Sequence, residues 1–178
     1  SSCISNNGLK KLQFELNVKD DANIISKESL FMTYPYDMFV TDEIVGILGY
    51  SNQKWLHFYD KITGEYINSY IGLGRGPGEI LSCSNIFYDS HTDILYIFDN
   101  NVEKLLVYEL SDYKHELRLI SENKFDGIDD VVIYKVWPLS NATYLVNSQI
   151  SSDKDLTRFQ IYSREDELLD MNSEMPEL

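Results

Sequence analysis

Ile71-Gly-Leu-Gly-Arg-Gly-Pro-Gly-Glu79 holds four of the chain's nine glycines and one of its four prolines. A β-type segment, Tyr66 to Ile71, runs into it, and another, Cys83 to Tyr88, runs out. Alternate glycines let the backbone take φ > 0 without a Cβ penalty. Pro77 fixes its own φ and pushes Gly76 toward extended conformations. The pattern specifies a tight, shaped crossover between two strands. A phosphate-binding reading fails on spacing. The dinucleotide fingerprint Gly-x-Gly-x-x-Gly, begun at Gly72, ends on Pro77, and begun at Gly74 it ends on Glu79. No Gly-Lys-Ser/Thr follows, and Ile80-Leu-Ser-Cys-Ser-Asn-Ile-Phe-Tyr88 reads as strand rather than helix.

Working outward, strand-like runs recur in cycles of four. The first cycle is Asp37–Val40, Ile44–Tyr50, Trp55–Asp60 and Tyr66–Ile71. The second is Ser84–Tyr88, Ile94–Asp99, Leu105–Leu110 and Leu117–Ile120. The third is Val131–Trp137, Tyr144–Gln149, Thr157–Ser163 and Glu167–Met171. The second runs begin near Ile44, Ile94 and Tyr144, an even spacing of 50 residues. Four short strands repeating at this period predict the blades of a β-propeller. A single blade cannot bury both faces, so neighbours must cover each other. Ile94-Leu-Tyr-Ile-Phe98 is apolar on both faces, as a sandwiched strand requires. A β-sandwich is the rival, but it has no cause to keep an even period.

The fold class is therefore all-β: a propeller of four-stranded antiparallel blades at about 34–72, 83–120 and 131–171. Residues 1–8 read as a tether, and 9–178 as one partial propeller domain. Leu12, Phe14, Leu16 and Val18 alternate with polar residues, which predicts a further half-buried strand. Three blades are too few for a ring, since propellers close with about four to eight. Either the chain is part of a longer propeller or two copies pair as a homodimer that completes one.

Fifteen basic against 29 acidic residues give a net charge of −14, with no basic cluster to displace counterions from nucleic acid. No stretch approaches the roughly 20 apolar residues of a membrane span. Cys83 sits in a strand-like run and reads as a buried small residue. Cys3 follows two serines and precedes a polar run, which resembles the acylated first residue of a bacterial lipoprotein. Membrane contact is then expected only through a lipid on Cys3.

Chemistry-bearing residues are sparse. His57, His91 and His115 fall one to a region and are expected at the surface or sheet edge, with no metal site. Asp89-x-His91-x-Asp93 and Asp99-x-Asn101-x-Glu103 lack the glycine of a helix-flanked Ca²⁺ loop and fit turn chemistry. Nucleophile motifs are absent, and neither catalytic residues nor a cofactor is expected. Arg75 and Glu79 are the candidate ligand-binding residues, because such crossovers gather near the channel mouth. The competing reading has them lock the crossover to neighbouring blades. Tyr34, Tyr36 and Trp55 could add stacking surface, with core packing favoured for Trp55.

Asp60-Lys-Ile-Thr-Gly-Glu-Tyr-Ile-Asn-Ser-Tyr-Ile-Gly-Leu-Gly-Arg-Gly-Pro-Gly-Glu-Ile80, with Asp89 to Asn100 and Lys104-Leu-Leu-Val-Tyr108, resembles the TolB-like six-bladed propeller proteins of Bacteroidetes. The Arg-Gly-Pro-Gly-Glu core carries most of that likeness. Ile80 stands where Phe is usual, and family members are longer. The resemblance implies a secreted or lipid-anchored protein, periplasmic or at the cell surface, and no particular reaction. The function expected is a non-enzymatic binding or scaffold module for a protein or glycan ligand. The alternative is an enzyme, a lyase or hydrolase, with its site on the channel face.

Overall fold

A computed structural model describes residues 35–111, 116–125, 131–139, 143–150, 153–163 and 168–169. The expected strand at Leu12–Val18, the tether, Cys3, Tyr34 and His115 lie outside the described residues. Twelve strands form three four-stranded antiparallel sheets, and no helix occurs among the described residues. The first sheet runs β1 (Pro35–Val40), β2 (Ile44–Ser51), β3 (Lys54–Asp60) and β4 (Tyr66–Gly72). The second runs β5 (Asn85–Asp89), β6 (Ile94–Asp99), β7 (Lys104–Glu109) and β8 (Arg118–Lys124). The third runs β9 (Val131–Pro138), β10 (Thr143–Ile150), β11 (Asp153–Ser163) and β12 (Leu168–Leu169). The second strands start 50 and then 49 residues apart, so the repeat read in the sequence is the repeat of the fold.

Turn chemistry punctuates the first two sheets. Asp60 Oδ1 accepts the N–H groups of Ile62 and Thr63, and Asp89 Oδ1 accepts that of His91. These are Asx turns, which free the chain to reverse without a ladder partner. Asn52 and Gln53 both take positive φ in the β2–β3 hairpin, as a two-residue turn matched to strand twist requires.

The sheets pack face against face. Phe39, Leu48 and Phe58 of the first meet Ile86, Ile97 and Leu106 of the second, with Ile80 and Cys83 sealing the crossover side. Phe98 and Leu105 point the other way and meet Ile133, Val136 and Tyr144 of the third sheet, around Phe125. Phe98 and Phe125 pack edge to face at 5.9 Å, the arrangement that ring quadrupoles favour. Alternate residues of β6 therefore serve two different cores. That is why this strand reads apolar on both faces, and each such buried side chain contributes about 1.5–3 kcal/mol.

Inner strands of successive blades are also joined by polar side chains. Register places Asp37 opposite Leu48 and Asn85 opposite Phe98, which are equivalent positions in two blades. Asp37 Oδ2 accepts the N–H of Ile86 (3.1 Å). Asn85 donates to the C=O of Val136 (2.9 Å) and accepts from its N–H (3.2 Å). Asn85 is buried and behaves as one more rung of β-ladder, made from a side chain.

Three expectations change. The third strand of the third blade begins at Asp153, ahead of Thr157. The fourth strand of the second blade extends to Lys124, beyond Ile120. His57 is not at the surface or edge: it is 2 % exposed, in the middle of the first sheet. Its Nε2 lies 3.0 Å from the C=O of Gly49 on β2, and its Nδ1 lies 2.6 Å from Ser69 Oγ on β4. A carbonyl can only accept, so Nε2 carries the proton and Nδ1 accepts from the serine. Two in-sheet partners let a polar residue occupy an interior position. Trp55 is buried, against Tyr36 and Tyr50, and Cys83 is buried as anticipated.

Burial holds the His57 imidazole below its ordinary pKa, outweighing backbone bonds that act the other way. The unfolded chain, with an ordinary histidine near 6.5, takes up a proton that the folded chain refuses. Stability from this group is therefore present above that value and lost as pH falls through it. Urea unfolding from pH 7 to pH 5 should show a steeper loss for the wild type than for His57→Gln. Parallel profiles would contradict the assignment.

Candidate functional site

The crossover from β4 to β5 forms the candidate site. Ile71 enters it with φ 62°, a strained conformation for a β-branched residue held in place by a buried side chain. Beyond it the chain folds back on itself. Gly74 N–H donates to the C=O of Ile80 and Ile80 N–H to that of Gly72, both at 3.1 Å, and Leu73 bridges Ile80 in parallel. The Glu79 carboxylate lies inside this fold-back, where Oε2 accepts the N–H of Gly76 at 2.9 Å. A Cβ on Gly74 would sit 2.0 Å from the same oxygen. Glycine at 74 is thus required by the Glu79 carboxylate packed inside the loop, and at Gly78 by φ +70°.

The loop is fastened to the second blade at several points. Tyr108 Oη donates to the C=O of Gly78 (3.0 Å), and Gly78 N–H donates to Glu122 Oε1. Lys104 Nζ donates to the C=O of Glu79 (2.9 Å) and lies 3.5 Å from Glu122. Asp99, fully buried, accepts from Leu81 N–H with one oxygen (2.6 Å) and from Asn101 N–H with the other (2.9 Å). Burial and, secondarily, the Glu122 charge push the Tyr108 phenol well above its ordinary pKa, so it remains a donor throughout the physiological range. Burial first, and then Asp99 and Asp37, likewise raise the Cys83 thiol and keep it unreactive.

The two candidate residues fall on opposite sides of the loop. Glu79 is turned inward onto the backbone N–H of Gly76. Arg75 is exposed and has no hydrogen-bond or ion-pair partner among the described residues. Leu73, Arg75 and Pro77 are exposed while Gly72, Gly74 and Gly76 are half-buried, so the loop presents an outward row: apolar, cationic, apolar. Sequence reasoning had both outcomes for this pair open. What it lacked was Lys104, Tyr108 and Glu122, which lie 25 to 44 residues from their loop partners.

A second recess, of about 600 Å³, opens at the other end of the blades, between the β1–β2 and β5–β6 turns. Asp42, Glu43, Lys61, Tyr88 and Asp93 line it. Tyr88 donates to Asp93 (2.6 Å), and burial together with this bond pushes its phenol up to about 12. Among the described residues, no three His, Cys, Asp or Glu side chains are grouped to hold a metal ion.

A family model for TolB-like 6-blade propeller-like proteins matches residues 14–178. The chain belongs to this family. Among solved structures, a Bacteroides fragilis protein described as exported shares the fold at a TM-score of 0.61 and 21% identity. The match covers 82% of this chain and 39% of that one, so the chain spans well under half the length of its neighbour. A Lactobacillus plantarum protein aligns at a TM-score of 0.45 and 10% identity, over 74% of this chain and 42% of its own. Comparison with curated proteins gave no match.

If the glycines exist to make room for Glu79, their effects must be coupled. Gly74→Ala should cost about 1–3 kcal/mol, the usual penalty of overpacking, in denaturant unfolding. In a Glu79→Ala background the same substitution should cost much less. An equal cost in both backgrounds would separate the two residues.

Proposed function

We propose that this TolB-like chain is a non-enzymatic extracytoplasmic module that binds an oxygen-rich protein or glycan ligand through its crossover loop. The observation that carries the reading is the division of labour between Arg75 and Glu79. A flexible loop would lose much of any binding energy in ordering itself. Here the loop is already held by Glu79 within it and by Lys104, Tyr108 and Glu122 beneath it. Its one cation is left without an internal partner. Arg75 offers five N–H donors to carboxylate or hydroxyl oxygens, with Leu73 and Pro77 as apolar flanks. Glu79 serves binding by positioning the loop and does not touch the ligand.

The extracytoplasmic setting is supported by the exported description of the Bacteroides fragilis neighbour, and the small residues Ser1 and Ser2 before Cys3 fit an acylation site. A lipid on Cys3 would place the module in the periplasm or at the cell surface. With a net charge of −14, recognition of an anionic group must be short-ranged and gain from screening of the surrounding field.

Affinity electrophoresis through gels carrying neutral or carboxylated polysaccharides, or an immobilised acidic peptide, tests the loop. Arg75→Ala should abolish retardation while leaving the melting temperature unchanged, whereas Glu79→Gln should lower both. Retardation of Arg75→Ala equal to wild type would remove Arg75 from the site. Expressed from its native gene, the protein should label with a fatty-acid analogue and Cys3→Ala should not; label retained by Cys3→Ala would refute the anchor.

A further inference from the structure

The two seams between blades are built from equivalent positions but are not filled alike. Tyr96, Val107 and Ser121 lie side by side on β6, β7 and β8, as Gly46, Phe58 and Asn68 do on β2, β3 and β4. Opposite them, Pro138 pairs with Tyr144 as Tyr88 pairs with Leu95. In the first seam three rings meet: Phe39 lies 5.9 Å from Phe58 and 5.3 Å from Tyr88. In the second seam Val107 stands where Phe58 does and Pro138 where Tyr88 does, so two of those rings are gone. The aromatic residues gained there, Tyr96 and Tyr144, line the space instead of filling it. A recess of about 260 Å³ is left, with Val107, Pro138, Ile120 and Ser121 also on its walls.

Ser121 gives this recess an unmet polar group. As the cross-strand partner of Val107 it stands on the same face. Its Oγ is buried and has no hydrogen-bond partner among the described residues. Asn68, in the equivalent place, donates to Tyr70 Oη (3.2 Å). A buried hydroxyl without a partner is destabilising, and a ligand that supplies one gains by it. None of the described residues lining the recess is charged. An ion would lose its hydration there with nothing to offset the loss. The walls suit a neutral, mostly apolar molecule with one hydrogen-bonding group. An apolar cavity of about 150 Å³ takes up benzene, so about 260 Å³ accommodates one ring with a substituent.

We propose that the seam between the second and third blades binds a small neutral phenol, its ring against Tyr96, Val107 and Pro138 and its hydroxyl bonded to Ser121 Oγ. Both hydroxyls can donate and accept, so the pair can bond in either sense. Edge-to-face or offset contact with the tyrosine rings adds to the burial of the ligand ring. The site is separate from the crossover loop, and the role given to Arg75 neither supports it nor is needed by it.

Phenol itself is the probe, titrated into protein labelled at its methyl groups for NMR. Ring-current shifts should saturate at the methyls of Ile94, Val107, Ile120 and Leu139, and benzene should bind roughly tenfold more weakly. Ser121→Ala, which removes only an unpaired hydroxyl, should bind phenol and benzene alike. Val107→Phe, which returns the ring of the first seam, should abolish both titrations while the other methyl signals keep their native positions. Should that larger side chain prevent folding, Ser121→Ala still decides the matter. The absence of any saturable shift with phenol would overturn the proposal and leave the Ser121 hydroxyl to water. A tenfold preference for phenol that survives in Ser121→Ala would overturn the assigned contact. Binding retained by a folded Val107→Phe would overturn the placement in this seam.

Discussion

A four-stranded antiparallel sheet has two faces to bury and two edges whose N–H and C=O groups need partners. In this chain the inner edge is settled by side chains reaching from one blade to the next. Asp37 meets the N–H of Ile86, and Asn85 meets both backbone groups of Val136. An unpaired backbone group buried there would cost on the order of 1–3 kcal/mol. The bonds have a second effect: they fix how far one blade is rotated against its neighbour. With that rotation set, Leu48, Ile97 and Leu106 fill one inter-blade layer, and Phe98, Ile133 and Val146 fill the next.

The crossover loop follows from the same geometry. A chain leaving the outer strand of one blade must cross to the inner strand of the next. It does so over the seam between them, where Lys104, Tyr108 and Glu122 of the second blade take up its carbonyls and amides. Glycines 74, 76 and 78 keep the backbone thin enough to hold the Glu79 carboxylate and turn at φ +70°. Rigidity on the inside and a row of Leu73, Arg75 and Pro77 on the outside are two results of one packing solution.

Much of this was legible in the residues. Runs rich in β-branched and aromatic residues, recurring every 50 residues, located nearly every strand, because each blade buries both faces and so repeats its apolar pattern. Asp89 and Asp99 announced their turns through local bonds that depend only on near neighbours. His57 was misjudged because its burial depends on Gly49 and Ser69, contributed by the two flanking strands. The inner-strand links were hidden for a different reason. Asp37, Asn85 and Lys135 share a register position but no residue type, and only the pairing of strands reveals their equivalence. The division between Arg75 and Glu79 was likewise beyond reach, since both readings fit the same nine residues and only the direction of each side chain separates them.

The account rests on the bonds from side chain to backbone that join successive inner strands. Site-resolved amide hydrogen exchange reads them individually, because the N–H groups of Ile86 and Val136 face the axis and have no ladder acceptor of their own. Both should be protected to nearly the level of the central strands, with Asp37→Ala exposing Ile86 alone and Asn85→Ala exposing Val136 alone. Exchange of both amides in the wild type as fast as that of the exposed His91 turn would contradict it.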